Sequence, residues 1–504
     1  MKPPQAKLKR AALGLALLSQ VGASATKSDL RPKIDSTKLQ ADITTEGLMA
    51  NLVTLNDIAL NNGGNRAFGL PGYGASVDYV WSKVSKVSRT KAWKQKLSGL
   101  FNRIESLELK INDEPIFVAG LTFSPSTSKQ GLVAEVVSGP EGLAGCNDTS
   151  YRNLNVAGKI VLVQRWRCDT GGTLAGRLLP AARAGAAAVI IYNDVELAVA
   201  GGTLSALNPE HVPGGFINLA DGLRIKERLV AREKVQAYFQ QTQIVEQRET
   251  ENVFVETEDG DAENVIILGA HLDSVQAGAG INDDGSGTSL LLELFKASRR
   301  YKAKNKIRFA WWGAEENGLL GSKHYCSNLD ATEANSILAY LNFDMVSRGY
   351  IGVGDGDGSS HGSVAPPGSD VIERIYIDHF ESQGITVTPA ILTNGSDYAS
   401  FWKILNKPFG YLHTGTGAAQ DPCYHRACDS IDNANPETIT INARAAAHML
   451  AVLSEEGASL VPKTLVNATT SMILGRSNDL IFDFVDREAL ERMGEHHAGC
   501  SHEA

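Results

Sequence analysis

The feature of this sequence that most restricts its fold is an alternation of short apolar runs and amphipathic segments from about Asn252 onward. The runs NVIILGAH, KIRFAWW, ILAYLNF and PFGYLH have the pattern of strands, and the first is continuously apolar, as expected of a strand buried on both faces. Segments with helical spacing, such as TSLLLELFKASRR and SDVIERIYIDHFESQ, separate them. This alternation predicts an α/β fold with an open, mostly parallel sheet and helices on both of its faces.

The rest of the chain divides into segments of different character, as expected for 504 residues, which exceed one ordinary core. Residues 26–117 have a mostly helical pattern, interrupted by the glycine-rich stretch GGNRAFGLPGYG, and are assigned to the N-terminal part of the main domain. Residues 118–240 contain short apolar runs between glycines and predict an inserted β-rich domain. Residues 241–460 are assigned to the main α/β domain, and the polar residues 461–504 to a peripheral C-terminal tail.

The N-terminus has the parts of a secretory signal. Four basic residues precede the apolar stretch AALGLALLSQVGASA, which ends in a small-x-small site at residues 23–25. We therefore predict that residues 1–25 are a signal peptide and that the mature chain starts near Thr26. The apolar stretch is too short to span a bilayer, so we expect no membrane anchor and a protein secreted to the exterior or to a vacuole.

Composition agrees with this route and excludes one class of partner. Six cysteines suit an oxidising compartment, and three N-x-S/T sequons are candidate glycosylation sites, at Asn147, Asn394 and Asn467. The formal charge of −9 gives no electrostatic reason to bind nucleic acid. We expect a folded, monomeric protein that does not bind nucleic acid.

Acids and imidazoles follow the predicted strands of the main domain. The stretch HLDSVQAGAGINDDGSG, taken alone, fits either a surface turn or a metal site, since Asn, Asp and Gly are also turn residues. Further candidates end or follow three other strands, and the whole set is His271, Asp283, Glu315, Glu316, Asp344 and His425. Because the carboxyl ends of parallel strands form the binding crevice of an open α/β sheet, this shared placement favours one site.

The number of these residues fits a catalytic metal centre. Two histidines and three acids, with one acid shared, supply two metal ions with three protein ligands each and leave an open position for water. One further carboxylate remains to act as a base. Nitrogen and oxygen donors without thiolate suit zinc, although cobalt or manganese could occupy such a site.

Five motifs together resemble a known family. GAHLDS, GINDDGSG, WWGAEENGLLGS, LNFDM and CYHRACDS occur in the order found in the co-catalytic zinc aminopeptidases of peptidase family M28. The inserted segment, with GKIVLVQR and AGAAAVIIYN, resembles a protease-associated (PA) domain, and NGGNRAFGLPGYGASVDYVW is similar to secreted fungal leucine aminopeptidases. The resemblance implies the zinc peptidase fold and a secreted enzyme. Its substrates would be peptides with a free N-terminus, from which it would release N-terminal, preferably apolar, residues.

The same resemblance implies a role for each site residue. One of two zinc ions would be bound by His271, Asp283 and Asp344. The second would be bound by Glu316, His425 and the same aspartate, which bridges the ions. The general base would be Glu315, and Asp273 would orient the imidazole of His271. Tyr424 is a candidate for oxyanion binding or for plain packing.

Cysteine placement allows two interpretations at the His425 loop. Cys423 and Cys428 bracket the histidine, as in a Cys₂His zinc site, but the secretory signal favours a disulfide that stiffens the loop. A second disulfide, Cys146–Cys168, is expected inside the PA-like domain. Glycines at 278, 280, 285 and 287 would let the backbone turn sharply near the metals.

Substrate choice rests on weaker signals. Met345, Tyr398 and Phe401 are candidates for an apolar pocket for the first residue, and each fits plain core packing as well. Carboxypeptidases of the same superfamily need a fixed cation for the substrate carboxylate, and only Arg426 lies within the metal motifs. Inactive receptors of the superfamily have lost ligands, whereas here all five and the base are present. An aminopeptidase is therefore the favoured function.

Overall fold

A computed structural model describes Met1 and residues 30–480, apart from residues 171, 197, 200, 418 and 468. The remainder of the predicted signal peptide and Cys500 lie outside the described residues. Three helices open the described chain: α1 (Ser36–Ala41), α2 (Thr45–Asn61) and α3 (Pro71–Val84). Thr44 begins α2 by accepting a hydrogen bond from the Gly47 amide, and α3 begins with a proline, which needs no amide partner there.

A long strand follows where the sequence pattern favours helix. Strand β1 (Thr90–Ile111) has 22 residues, so the expectation of a mostly helical segment up to residue 117 is wrong for this part. Towards its end Leu109 and Ile111 are buried while Glu108 is exposed, which is the two-residue alternation of a strand. This two-residue pattern is typical of a strand and agrees with the structure of the segment.

The inserted domain is a mixed sheet with two helices. Its strands are β2 (Glu114–Ile116), β3 (Ala119–Thr122), β4 (Leu132–Ser138), β5 (Ile160–Gln164), β6 (Ala188–Tyr192), β7 (Gly202–Thr203) and β8 (Gly214–Ile217). Helices α4 (Ala175–Arg183) and α5 (Leu219–Val230) accompany two short 3₁₀ turns, Gly142–Cys146 and Asp148–Tyr151. Strands β4, β5, β6 and β8 run parallel to one another.

One strand joins the inserted domain to the main domain. Strand β9 (Gln236–Thr257) pairs antiparallel with β1 from Thr90 opposite Thr257 to Ile111 opposite Ala237. One end of β9 pairs with β4 of the inserted domain, and its other end pairs with the main sheet. The two domains therefore share a two-stranded ribbon and one continuous sheet.

The main sheet continues with six further strands. They are β10 (Asp261–His271), β11 (Asn305–Trp312), β12 (Ile337–Phe343), β13 (Gly352–Gly354), β14 (Thr388–Ala390) and β15 (Phe409–His413). The order is β14-β13-β15-β12-β10-β11-β9. Strands β15, β12, β10 and β11 are parallel, and the flanking strands β13 and β9 are antiparallel to their neighbours. This confirms the predicted mostly parallel sheet.

Helices cover both faces of this sheet. They are α6 (Ser286–Ser298), α7 (Leu320–Asn328), α8 (Ala331–Ser336), α9 (Ser369–Ser382), α10 (Tyr398–Lys403), α11 (Pro436–Leu460) and α12 (Thr470–Asp479). Along β10, Ile266 and Leu268 enter one hydrophobic core while Val265 and Ile267 enter the other. The continuously apolar run is thus buried on both faces, as predicted.

The chain beyond residue 460 includes a packed segment. Val461, Val466, Ile473 and Leu480 are at most 5% exposed, and Lys323 donates a hydrogen bond through Nζ to the Leu480 carbonyl. The part of the predicted tail that the structure describes therefore contributes to the two main cores, while its remainder lies outside the described residues. Among the described helices, none combines the length and the apolar character needed to cross a bilayer.

Candidate metal centre

The candidate residues converge at one edge of the main sheet. Five of them end a parallel strand or follow one: His271 (β10), Glu315 and Glu316 (β11), Asp344 (β12) and His425 (β15). Asp283 lies in the turn Ile281–Gly285 that leads into α6. Strand β10 has β11 on one side and β12 on the other, so the chain reverses direction across the sheet at this point. Such a switch point opens a crevice at the strand ends.

Asp283 lies between the two histidines. Its Oδ1 is 3.0 Å from His271 Nε2, and its Oδ2 is 2.8 Å from His425 Nε2. On the outer sides, Asp344 Oδ1 is 3.6 Å from His271 Nε2 and Glu316 Oε2 is 3.2 Å from His425 Nε2. Atoms that bind one tetrahedral zinc ion at about 2.0–2.1 Å lie about 3.3 Å from one another. Each half therefore has the spacing of a metal site, with one carboxylate oxygen of Asp283 in each.

Glu315 lies against the first half of the site. Donor atoms of His271, Glu315 and Asp344 all lie within 4.8 Å of one another. The carboxyl group of Glu315 is almost fully buried, with Oε2 4.0 Å from His271 Nε2. Burial raises the pKa of Glu315 well above its usual range, although His271 opposes the shift. A carboxyl group beside this half of the site is within reach to exchange a proton with a reactant.

The charges of the site call for a cation. Burial lowers the pKa of His271, but Glu315 and three further carboxylates outweigh it and raise that pKa well above its usual value. Burial also opposes the shift of His425, and Glu316 with Asp283 raises its pKa to about 10. The carboxylates thus draw positive charge onto the imidazoles. Among the described residues, the buried Oε1 of Glu316 also has no hydrogen-bond partner. This donor set fits divalent metal ions.

Asp273 fixes the segment that carries the two glutamates. One of its oxygens accepts a hydrogen bond from the Glu315 amide at 3.1 Å, and the other accepts one from the Glu316 amide at 3.2 Å. Its Oδ1 also lies 3.6 Å from His271 Nδ1. The role predicted for Asp273 concerned the imidazole alone, and the contacts extend it to the backbone of Glu315 and Glu316.

Two residues outside the predicted set form hydrogen bonds at the candidate ligands. Ser396 donates a hydrogen bond through Oγ to Asp344 Oδ2 at 2.6 Å. Asp429 accepts hydrogen bonds from the Asn282 amide at 2.8 Å and from the Asp283 amide at 3.1 Å. Asp429 lies within the motif CYHRACDS, so its position gave a usable signal, whereas Ser396 lies between the motifs and gave none.

The candidate substrate residues lie inside the protein or beside a candidate metal ligand. Tyr398 stacks on Phe409 with ring centroids 4.9 Å apart, and Phe401 stacks on Tyr340 at 3.8 Å. Both are at most 1% exposed, as is Met345, which follows the candidate ligand Asp344. These contacts give Tyr398 and Phe401 a packing role, and their part in substrate binding stays a prediction.

The aromatic residue Tyr424 and the adjacent cysteines shape the last ligand loop. Tyr424 is 6% exposed and stacks on His425 at 3.8 Å between ring centroids. Cys423 and Cys428 form a disulfide across this loop, so their sulfurs do not serve as thiolate ligands of a Cys₂His site. The predicted Cys146–Cys168 disulfide is also present. Among the described cysteines only Cys326, which is buried, is free.

The sequons differ in exposure. Asn147 and Asn467 are exposed, and Asn394 is half-buried. The serine of the Asn394 sequon is Ser396, which is buried and hydrogen-bonded to Asp344. Glycosylation stays a prediction at all three positions, and exposure favours Asn147 and Asn467.

Four glycines are predicted to allow sharp turns near the site. Gly280 has a left-handed backbone conformation, and Gly278 and Gly287 lie close to the backbone of other segments. Gly280 has φ of 63°, a conformation that side chains other than glycine rarely adopt. A Cβ at Gly278 would lie 2.3 Å from the Arg426 carbonyl oxygen, and one at Gly287 would lie 2.2 Å from that of Phe343. At these two positions glycine lets backbone segments of the ligand loops touch.

Comparison with known proteins decides the family. Residues 252–450 match the model of peptidase family M28, and residues 132–225 match that of the PA domain. Leucine aminopeptidase 2 of Trichophyton rubrum is 36% identical over 455 residues, which cover 86% of this chain and 89% of that protein. The chain belongs to peptidase family M28. Because its relatives over most of its length are leucine aminopeptidases, it is a metallo-aminopeptidase, and it carries a PA domain.

Other relatives agree with this family. The probable leucine aminopeptidase 2 of Aspergillus oryzae is 36% identical, covering 88% of this M28 chain and 90% of that protein. Among solved structures, the aminopeptidase from Aneurinibacillus sp. strain AM-1 is similar with a TM-score of 0.69 and 24% identity, covering 86% and 98% of the two chains. A zinc aminopeptidase from Bacillus subtilis is similar with a TM-score of 0.62 and 24% identity, covering 88% and 98%. At this identity the structural likeness establishes the fold.

Proposed function

We propose that this M28 peptidase is a secreted enzyme that releases apolar, leucine-like residues from the N-termini of peptides by a two-zinc mechanism. The observation that carries the proposal is the placement of Asp283, whose two carboxylate oxygens face His271 and His425 separately. A bridging carboxylate between two nitrogen ligands is the core of a two-metal site. The relatives named leucine aminopeptidase 2 support the type of substrate.

The ligand sets follow from the same distances. One zinc ion would be held by His271, Asp283 and Asp344, and the other by Asp283, Glu316 and His425. Bound zinc would polarise the scissile carbonyl and lower the pKa of the attacking water. Three protein ligands at each ion leave room for water and substrate.

Glu315 would move the proton in this reaction. Its carboxylate would accept a proton from the attacking water and then give it to the leaving amine, and its position beside the first half of the site supports this role. Asp273 holds the Glu315 and Glu316 amides, so that the base and the adjacent ligand keep a fixed separation. Tyr424, stacked on His425, is positioned beside the second half of the site and is the candidate for contact with the oxyanion.

The charge of the site selects the end of the substrate. Asp283, Glu315, Glu316 and Asp344 are buried together with Asp273, and the four positive charges of two zinc ions do not fully offset these five carboxylates. A free α-ammonium group is attracted to such a site, while a terminal carboxylate is repelled. Of the apolar candidates, Met345 follows a ligand directly and is best placed to favour leucine-like side chains.

Peptides with modified ends test this proposal. The enzyme should cut a leucine peptide with a free amine, and acetylation of that amine should abolish cleavage while amidation of the far end changes little. Equal cleavage of acetylated and free peptides would contradict aminopeptidase activity and would favour an endopeptidase or a carboxypeptidase. A panel of aminoacyl anilides, assayed with and without chelator, would measure the residue preference and the metal requirement together.

Secretion has its own test. Two disulfides fit an oxidising compartment, and Asn147 and Asn467 are exposed for glycosylation. Protein recovered from the culture medium should begin near Thr26 and should lose mass on treatment with a glycosidase. A chain found only inside the cell with an intact N-terminus would contradict the predicted signal peptide.

A further inference from the structure

A fully buried arginine lies behind the metal centre. Arg66 follows α2 in the glycine-rich stretch GGNRAFGLPGYG, and its side chain has 0% exposure. Its Nε donates to the Ala279 carbonyl at 2.9 Å, its Nη2 donates to the Gly280 carbonyl at 2.6 Å, and its Nη1 donates to the Leu272 carbonyl. Its backbone amide donates to Ser274 Oγ at 2.9 Å. Arg66 therefore contacts one segment of the main domain at four points.

That segment connects two of the proposed ligands. Leu272 directly follows His271, and Gly280 shortly precedes Asp283. The guanidinium group thus connects the two ends of the loop 272–280 by hydrogen bonds and holds them at a fixed distance from each other. Ser274 closes the loop further, since its Oγ donates to the Gly278 carbonyl at 3.1 Å. Holding both ends fixes how far His271 Nε2 lies from Asp283 Oδ1.

The contacts of Arg66 indicate whether it acts through its positive charge or through the shape of its guanidinium group. Asp273, Asp283, Asp284 and Asp429 are near enough to favour its charged form, although burial lowers the pKa of Arg66 overall. Its side-chain hydrogen bonds within the described structure nevertheless end on carbonyl oxygens. A rigid planar fork is needed to reach three carbonyls at once, which lysine lacks despite its equal charge. The contacts therefore point to shape and not to charge alone.

We infer that Arg66 is a positioning residue for the metal centre, acting through the loop 272–280 to set the separation of His271 and Asp283. This rests on the proposed ligand set. Residues that support metal ligands from behind typically change metal affinity by about 10–100-fold when they are altered. Arg66 thus contributes to zinc affinity without contacting zinc or substrate.

The chain contains a matched control for this inference. Arg177 in α4 of the inserted domain is also 0% exposed. It donates to three carbonyls as well, those of Gln164 at 2.8 Å, Gly142 at 2.8 Å and Pro140 at 3.0 Å. Replacing either arginine by lysine removes the same kind of clamp from a buried place. Only Arg66 holds a segment between proposed metal ligands.

The experiment compares zinc affinity in Arg66→Lys, Arg177→Lys and the wild type. Each full-length protein is stripped of metal, shown to be folded by circular dichroism and thermal unfolding, and titrated with zinc against a chromophoric chelator well below its Tm. We expect Arg66→Lys to bind zinc about 10–100-fold more weakly, while Arg177→Lys binds it like the wild type even if both variants lose thermal stability. Equal affinity of the two variants would overturn the inference.

A second variant and the wild type test the inference if Arg66→Lys does not fold or if the proposed ligand set is wrong. If Arg66→Lys does not fold, Ser274→Ala removes a smaller part of the same clamp and should weaken zinc binding, and wild-type affinity in that variant would overturn the inference. The wild type itself tests the proposed ligand set. If it binds no zinc, the ligand set and the Arg66 inference fall together; if it binds zinc and Arg66→Lys binds it equally well, only the Arg66 inference falls.

Discussion

Replacing Ser396 by alanine would break a buried chain of hydrogen bonds that ends on a proposed zinc ligand. In this chain Trp312 Nε1 donates to Tyr340 Oη at 2.9 Å, which donates to Asn342 Oδ1 at 2.7 Å. Asn342 Nδ2 then donates to Ser396 Oγ at 2.8 Å, and Ser396 donates to Asp344 Oδ2 at 2.6 Å. The last bond turns a carboxylate oxygen of Asp344 away from the metal position and towards the protein interior. Its loss should loosen the orientation of the other oxygen.

The magnitude follows from the kind of bond that is lost. A hydrogen bond to a charged group contributes about 1.5–3 kcal/mol, and Ser396 is only 1% exposed, so water does not replace it readily. If most of this energy orients Asp344, zinc affinity at that position falls by about 10–100-fold, since about 1.4 kcal/mol corresponds to a factor of ten. Excess zinc should then restore most of the activity, because Ser396 is not expected to contact the reacting atoms.

The control for this variant is Ser400→Ala in α10. Ser400 is equally buried, at 0% exposure, but its hydroxyl pairs with Ser322 at 2.8 Å. Zinc affinity by chelator competition, and kcat as a function of added zinc, should be altered in Ser396→Ala and normal in Ser400→Ala. Zinc affinities within twofold of each other would refute the argument that this hydrogen-bond chain orients Asp344.

Three further predictions concern the base, the metal count and acid stability. Glu315→Gln should lower kcat by about 10²–10⁴-fold and keep its zinc, whereas Glu316→Ala should also lose zinc; near-normal kcat in Glu315→Gln would contradict its role as base. Elemental analysis of dialysed wild type should give about two zinc ions per chain, and full activity with one would contradict the bridging role of Asp283. Burial, together with His448, lowers the pKa of His379 from 6.5 to about 4. The unfolded chain therefore takes up this proton first as pH falls, and stability should decrease between about pH 6.5 and pH 4. Because His379 is only half-buried, we discount the full shift to about 1–2 kcal/mol. Denaturant unfolding of wild type and His379→Gln across this range checks it; identical pH dependence would count against it.

Where sequence reasoning succeeded, a repeating local pattern carried the information. The uninterrupted apolar run ending at His271 could occupy only a strand covered on both sides, and acids after successive strands of a parallel sheet had to share one edge. In β1, by contrast, the alternation of Leu109 and Ile111 with polar residues was present in the sequence but was attributed to a helical segment. The sequence contained the two-residue period of a strand, but the segment was interpreted with the 3.6-residue period of a helix.

Two of the residues that support the candidate ligands, Arg66 and Ser396, could not be found in the same way. Most arginines in proteins are exposed, and nothing in the sequence around Arg66 marks it as buried against three carbonyls. Ser396 contacts Asp344 because two distant segments of the chain meet, and a single serine in a loop has no periodicity. Asp273 and Asp429 lie inside the motifs of the candidate ligands, whereas Arg66 and Ser396 reach those ligands only through tertiary packing.

The ribbon of β1 and β9 has a consequence for how this protein could have been assembled and how it could be redesigned. Ile111 and Ala237 are opposite partners at its far end, so the intervening domain enters and leaves the chain at a single hairpin tip. An insertion at such a tip leaves the pairing of the parent hairpin intact, which makes it an easy site for acquiring a domain during evolution. A short turn joining the same two positions should likewise yield a minimal, single-module enzyme that retains the main sheet.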